Sequence, residues 1–240
     1  MLLAGGHDYR FLNMGRRVLK KIDISSNEDK NYAILKNTHL AEFIPKHYKN
    51  ISLDGNRFVK MENLVPGSGW DIIDIKLAYV KNPPLCYCYD KHFRVVGMVT
   101  NGKKRRIDKF MGQKASYEAL FLHIMNHTKH VPIILKMLKR MCFIITNKDR
   151  LYGSSLFIAI RGNECVIKII DFSDFNSRSF EKRPNVDINF YDIESALENL
   201  HTFYTSIFYH RSIIRISCSR ISCICDNDEN QDKSNIRLIK

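Results

Sequence analysis

The stretch that most limits how this chain folds is Pro66-Gly67-Ser68-Gly69. Proline removes a backbone donor and the glycines leave the backbone unconstrained, so neither a helix nor a strand runs through it. It divides a short patterned region from a longer one. Before it, residues 17–22 read as a strand. Ser26-Asn27-Glu28-Asp29 reads as a helix start, with acidic side chains in the first turn where the helix dipole favours them. That helix is expected to run to about Glu42 and stop at Phe43-Ile44-Pro45. Asp54-Gly55 turns between strands at residues 50–53 and 57–61. After the divide, residues 70–78 and 93–100 read as strands, the second ending in an Asn101-Gly102 turn. Residues 116–127, 131–146 and 191–209 read as helices, and 156–160 with 166–170 as a strand pair around Arg161-Gly162-Asn163. The expectation is a single α+β domain of two lobes. Residues 1–63 form a small N-lobe of antiparallel strands plus one helix, 64–225 a larger mixed C-lobe, and 226–240 a polar tail.

The chain has 240 residues, 45% of them hydrophobic, which excludes a disordered linker and suffices for one sizeable core. No window of about 18 uncharged apolar residues occurs, so no membrane insertion is expected. The most apolar stretch, residues 154–172, is broken by Arg161, Glu164 and Lys168. The opening Met1-Leu2-Leu3-Ala4-Gly5-Gly6 lacks a charged leader, so a reducing compartment, cytoplasmic or nuclear, is the expectation. Seven cysteines do not make a secreted disulfide framework. Cys86-Tyr87-Cys88 and Cys223-Ile224-Cys225 are not spaced as a zinc ribbon or finger, and ordinary thiols are expected. A formal charge of +13 favours polyanionic partners without choosing among nucleic acid, acidic membrane and small phosphorylated ligands.

Two lobes with that charge suit phosphoryl transfer, which needs few parts. It needs a lysine on a small-lobe strand for the nucleotide phosphates, an acid to position that lysine, and a carboxylate for the metal. It also needs groups beside the acceptor. Lys20 lies in a strand-like segment with Glu28 on the helix that follows. Asp171 ends an apolar strand and precedes Phe172. Asp74 and Lys76 share one face of a strand at i, i+2. Taken singly, each also reads as a solvated lysine, a turn aspartate or an exposed charge pair.

The order and neighbours of these residues resemble the inositol polyphosphate kinase family, most closely its inositol hexakisphosphate kinase branch. The likeness runs in register from about Ala4 to Leu200. Gly5-Gly6-His7 with Arg10-Phe11 resembles the family's opening G-G-H and strand, and Val18-Leu19-Lys20 its ATP-lysine strand. Glu28-x-x-x-Tyr32 and Phe43-Ile44-Pro45-x-x-Tyr48 resemble the helix and its exit. Met61-Glu62-Asn63-Leu64 is similar to the hinge, and Asp74-Ile75-Lys76 to the core of the P-x-x-x-D-x-K-x-G signature. Arg94-Val95-Val96-Gly97-Met98 resembles the R-x-x-G-M strand, and Asp108-Lys109-Phe110-x-Gly112 the D-K-Y-x-G segment. Ser154-Ser155-Leu156 and Ile170-Asp171-Phe172 resemble the S-S-L and I-D-F strands.

The resemblance implies a protein-kinase-like fold and an ATP- and Mg²⁺-dependent kinase, a monomer. It would act on inositol hexakisphosphate to make a pyrophosphate or, alternatively, on a less phosphorylated inositol as a multikinase does. Lys20 would contact the ATP phosphates with Glu28 as its ion-pair partner. Glu62 and Leu64 would offer backbone to adenine, and Asp171 would hold Mg²⁺. Asp74 would act as base or orienting group, and Lys76 would bridge donor and acceptor phosphates. Lys109 and Lys114 would contact substrate phosphates. The chain departs from the pattern at Trp70 for the signature's Pro, Ala78 for its Gly and Gln113 for an Arg, and in a short segment between Lys76 and Phe93. The acceptor half is thus the less well kept, and a non-catalytic inositol phosphate or nucleotide sensor stays open.

Other features read more simply. Lys103-Lys104-Arg105-Arg106 fits a nuclear-localisation or nucleic-acid patch, a solvated hairpin, or a local concentrator of phosphate ligands. It lacks the interleaved aromatics of single-strand binders, so nucleic acid is not the expected partner. His123, His127 and His130 share a helix-compatible spacing without the Glu of a zinc protease. The helix at 131–146 is expected to turn its apolar face to the core.

Overall fold

The computed structural model describes residues 10–77, 92–107, 112–173, 175 and 192–209. Its elements, in chain order, are β1 (Phe11–Met14), β2 (Arg17–Ile22), α1 (Glu28–Leu35), β3 (His47–Leu53), β4 (Asn56–Glu62) and β5 (Asp71–Leu77). There follow β6 (Phe93–Thr100), β7 (Lys103–Arg106), α2 (Gly112–Asn126), α3 (Val131–Ile144), β8 (Ser155–Arg161), β9 (Glu164–Ile170) and α4 (Ile193–Tyr209). The strands make two antiparallel sheets, β1-β2-β4-β3 and β7-β6-β5-β8-β9. The fold is α+β in two lobes, with the Pro66–Gly69 stretch between the sheets.

Local chemistry sets the strand pairings. Asp54-Gly55 and Asn101-Gly102 both have positive φ at each residue, the left-handed turn whose twist suits a two-residue hairpin. These turns lock Leu53 opposite Asn56 and Thr100 opposite Lys103. The Pro66–Gly69 link is clamped. The Trp70 indole N–H donates to the Pro66 carbonyl at 3.1 Å, and the Arg161 guanidinium donates to the same carbonyl at 2.8 Å. Arg161 also stacks 4.4 Å from the Trp70 ring centre. Trp70 thus anchors the passage between lobes.

Two expectations need correction. The first helix ends at Leu35, not near Glu42. Thr38 turns extended, its hydroxyl donating to the Leu35 carbonyl at 2.8 Å and accepting from the Leu40 N–H. This competing side-chain bonding ends the helix and starts a separate 3₁₀ turn over His39–Phe43. The last helix starts at Ile193 rather than residue 191, because Asp192 caps it by accepting from the Ser195 N–H at 2.8 Å.

The five-stranded sheet has two unlike faces. Ile73, Ile75 and Leu77 of β5, Phe93 and Val95 of β6 and Leu156 and Ile158 of β8 are fully or nearly fully buried on one face. They share a core with Leu120 of α2, Ile134 and Leu138 of α3 and Leu197 and Leu200 of α4. The alternate residues of β5, Ile72, Asp74 and Lys76, point the other way. There Ile72 joins a smaller cluster with Val65, Trp70, Val99, Phe157 and Ala159. That second face, apolar at one end and charged at the other, forms one wall of the cleft between the lobes.

The histidines lie on the helical side. His123 is buried and meets the Tyr204 hydroxyl at 3.3 Å, and His127 faces Asp71 at 3.2 Å. No cluster of three metal-ligating side chains occurs among the described residues, and no helix there is long and apolar enough to cross a membrane. Cys142 and Cys165 are free thiols; both C-x-C pairs and the polar tail lie outside the described residues.

Candidate active site

A cavity of about 280 Å³ lies between the two sheets. Lys20 and Glu28 enter it from the N-lobe, Asp74, Lys76 and Asp171 from the C-lobe. Residues 151 positions apart meet here: the Lys20 Nζ donates to the Glu28 Oε1 at 2.6 Å and to the Asp171 Oδ1 at 2.8 Å. Lys76 lies 3.9 Å from the other oxygen of Asp171. The four side chains whose convergence the sequence reading needed, Lys20, Asp74, Lys76 and Asp171, therefore share one cavity.

Each is placed by its element. Lys20 sits mid-strand in β2, which puts Val18 and Ile22 into the core. Helix α1 carries Glu28, Asn31, Tyr32 and Leu35 at i, i+3, i+4 and i+7, all buried. Its inner stripe is polar at the end nearest the cavity. The Asn31 side-chain amide donates to the Phe172 carbonyl at 2.6 Å, and the Tyr32 ring meets Phe172 edge-on at 5.0 Å. These contacts tie the turn after β9 to the N-lobe helix. Asp171 itself has a φ of +64°, a conformation of low population for a residue with a side chain. Its carboxylate is thus aimed by the surrounding packing.

The electrostatics divide the two aspartates. Burial alone would raise the Asp171 carboxyl, but the ammonium groups of Lys20 and Lys76 outweigh it and hold the group below the usual carboxylate range. Burial would lower Lys20; Asp171 and Glu28 instead hold it charged, well above its ordinary value. Asp74 goes the other way. Burial, reinforced by the negative charge of Asp171, pushes it up to about 6, against the pull of Lys76. Its buried Oδ1 makes no hydrogen bond of ordinary geometry; the buried Ser155 hydroxyl beside it pulls the carboxyl down only slightly. An orphaned buried carboxylate oxygen beside a second carboxylate is a donor set for a hard divalent cation, which takes one or two carboxylates and completes its shell with phosphate and water.

A narrower extension of about 60 Å³ continues the cavity toward the lobe junction. Its walls are apolar: Val18, Met61 and Tyr32 from the N-lobe, Leu64, Val65, Phe157 and Ile170 from the junction and C-lobe. Leu64 follows β4 here, with no backbone hydrogen bond among the described residues. Glu62 is engaged differently, its side chain accepting from the Lys46 N–H at 3.1 Å and its own N–H donating to the Lys46 carbonyl at 2.9 Å. Asn63, between them, is buried; its amide donates to the Gly15 carbonyl at 2.7 Å and its oxygen accepts from the Val65 N–H at 3.2 Å. A mainly apolar slot, with the backbone of Leu64 on one edge and Lys20 and Asp171 at the other end, suits a heterocycle with its phosphates toward Lys20.

Lys114 lies exposed on α2, 4.0 Å from Glu118, and does not line this cavity. Lys109, Ala78 and the G-G-H segment lie outside the described residues. Sequence reasoning missed Asn31 as part of the site, whereas Ser155 lies in the Ser154-Ser155-Leu156 motif already singled out. The available signal for Asn31 was its place at i+3 from Glu28, on the same stripe of the helix as Tyr32 and Leu35.

The two-lobed α+β fold thus sets a cation–carboxylate cluster beside an apolar slot. No protein-family model matches the chain, and no curated protein matches it. Among solved structures it is similar to the inositol phosphate multikinase Ipk2 of S. cerevisiae, determined in complex with ADP and Mn²⁺. The two share 16% identity over 80% of this chain and 99% of that one, with a TM-score of 0.61. At that identity the likeness is one of fold.

Proposed function

We propose that the protein is an ATP-dependent inositol polyphosphate kinase. The observation that carries this is the meeting of Lys20, Glu28, Asp74, Lys76 and Asp171 in one cleft, in a chain folded like a multikinase that binds ADP and Mn²⁺. In this reading Leu64 and the carbonyl of Glu62 face adenine in the apolar slot. Lys20, oriented by Glu28, neutralises the donor phosphates. Asp171 would hold Mg²⁺, which would supply charge neutralisation on the transferring phosphoryl group. Lys76 lies between donor and acceptor.

The raised carboxyl of Asp74 favours a hydroxyl acceptor. A base tuned toward neutrality takes the hydroxyl proton as the acceptor oxygen bonds to the γ-phosphorus and the bond to the β-phosphate oxygen breaks, releasing ADP. That is the chemistry of a less phosphorylated inositol, the multikinase-type reading. The second reading, inositol hexakisphosphate as acceptor, is the branch that the motifs taken together most resemble; there Asp74 would orient without taking a proton. Incubation with labelled ATP and a panel of inositol phosphates, products resolved by chromatography, tests both. Transfer to an inositol carrying free hydroxyls is expected. Tight nucleotide binding without transfer to any acceptor would replace the kinase by a sensor.

A further inference from the structure

The basic run Lys103-Lys104-Arg105-Arg106 does not form one patch. As β7 it pairs with β6 so that Arg106 lies opposite Gly97 and Arg105 opposite Met98. Side chains directly opposite on paired strands share a face, so β7 splits its charges alternately between the two faces of the sheet. Gly97 is in turn opposite Asp74. Arg106, Gly97 and Asp74 therefore form one row on the cleft face, and Gly97 contributes no side chain between the other two. Two strand spacings put Arg106 roughly 10 Å from Asp74 along that row.

A second row lies beside it. Between Asp74 and Ile75 the register shifts, with Val96 as the extra residue, and the pairing resumes with Lys76 opposite Arg94. The bulge is what brings Arg94 onto the same face as Lys76. Without it, Arg94 would turn into the apolar layer that holds Phe93 and Val95. Arg94 is half-buried and Arg106 exposed; among the described residues neither has an ion pair or hydrogen bond, and both stand outside the cavity's own lining. The known cations of the cleft differ: Lys20 and Lys76 are both engaged with Asp171.

We propose that Arg94 and Arg106 form a two-armed clamp that holds phosphates of the acceptor on either side of the reacting oxygen at Asp74, and so set which phosphorylated ring is accepted. This rests on the kinase reading for its chemistry but not for its geometry. The donor phosphates have Lys20 on the N-lobe wall. The clamp lies on the opposite side of Asp74, where a ring small enough to lie in one cleft and bearing several phosphates would meet both guanidinium groups. Their planar forks suit phosphate oxygens two at a time. Arg105, one residue away on the other face, carries the same charge but cannot reach.

The test compares Arg94→Ala, Arg106→Ala and Arg105→Ala in the full chain. The readouts are acceptor KM, ATP KM, and calorimetric binding of inositol hexakisphosphate and inositol trisphosphate without nucleotide. The expected result is a rise in acceptor KM or Kd of roughly tenfold or more for the first two variants. ATP KM should be unchanged, and Arg105→Ala should behave as wild type. Arg106→Lys should restore part of the loss. An equal loss in Arg105→Ala would reduce the effect to general attraction and overturn the clamp, as would three silent variants. If wild type transfers no phosphate but binds an inositol phosphate that Arg94→Ala and Arg106→Ala release, the kinase reading fails and the clamp stands. If wild type binds neither inositol phosphate, the clamp fails whatever the nucleotide does.

Discussion

The two faces of the β5–β9 sheet are built from the same strands to opposite ends. On the helical face, Ile73, Ile75, Leu156 and Ile158 are completely covered and lie among other apolar side chains. On the cleft face, Asp74 is nearly as buried, yet one of its oxygens has no partner and its carboxyl is pushed up to about 6. Burial stabilises the first face and strains the second. Residues two apart on one strand can thus contribute to folding with opposite signs, and the strained face is the one that lines the cavity.

The largest test of this contrast is chemical. Asp171→Asn should lower phosphate transfer by at least about a thousandfold, since it removes the charge that faces Lys20 and would hold the metal. Asparagine tolerates the positive φ at this position, so far-UV circular dichroism should be unchanged. Retained turnover would remove Asp171 from the site. Next, Ile73→Ala on the helical face should destabilise the protein by ~2–5 kcal/mol in urea titration, through lost burial and the cavity left behind. A loss under 1 kcal/mol, on the scale of a surface change, would mean that this face is not the tightly packed layer described.

Asp74→Asn should do the reverse. The Asp74 carboxyl is raised from an ordinary 3.8 to about 6. Below 3.8 it is protonated in both folded and unfolded chains and costs nothing. Between 3.8 and 6 the unfolded chain ionises while the fold keeps the proton, so stability falls by up to ~3 kcal/mol and is level above 6. The variant should therefore be more stable than wild type above pH 6 and equal to it in acid, while losing transfer activity. A variant less stable than wild type at every pH would show that Asp74 is well satisfied. The last effect, confined to acid, is again on the helical side. Burial lowers His123 from 6.5 to about 3. Its contribution is present above 6.5 and lost as pH falls toward 3. Relative to His123→Gln, wild type should lose ~1.4 kcal/mol per pH unit over that window. Parallel pH profiles would indicate a charged or solvated His123.

Much of the fold was legible in the strand patterns and turn dipeptides. Residues 17–22 and 93–100 form strands with the bounds their patterns gave, because alternation and an adjacent turn act locally. The early end of α1 was not, since Thr38 decides it through a side-chain bond that competes with the helix. Within the site, the Lys20–Glu28 pair could be anticipated from a strand followed by a helix eight positions on. The raised carboxyl of Asp74 could not. The i, i+2 spacing to Lys76 says only that the two share a face, whereas the shift comes from burial and from Asp171.

By itself the sequence determined which residues carry charge, where the chain turns, and which strand positions alternate. These follow from local sterics and side-chain chemistry. Tertiary structure alone decided that Lys20 and Asp171 are bonded across the cleft, that Asp74 is desolvated, and that the β6 bulge turns Arg94 toward Lys76. Those outcomes depend on separations of many residues being closed by packing, and on a register that no single strand can set.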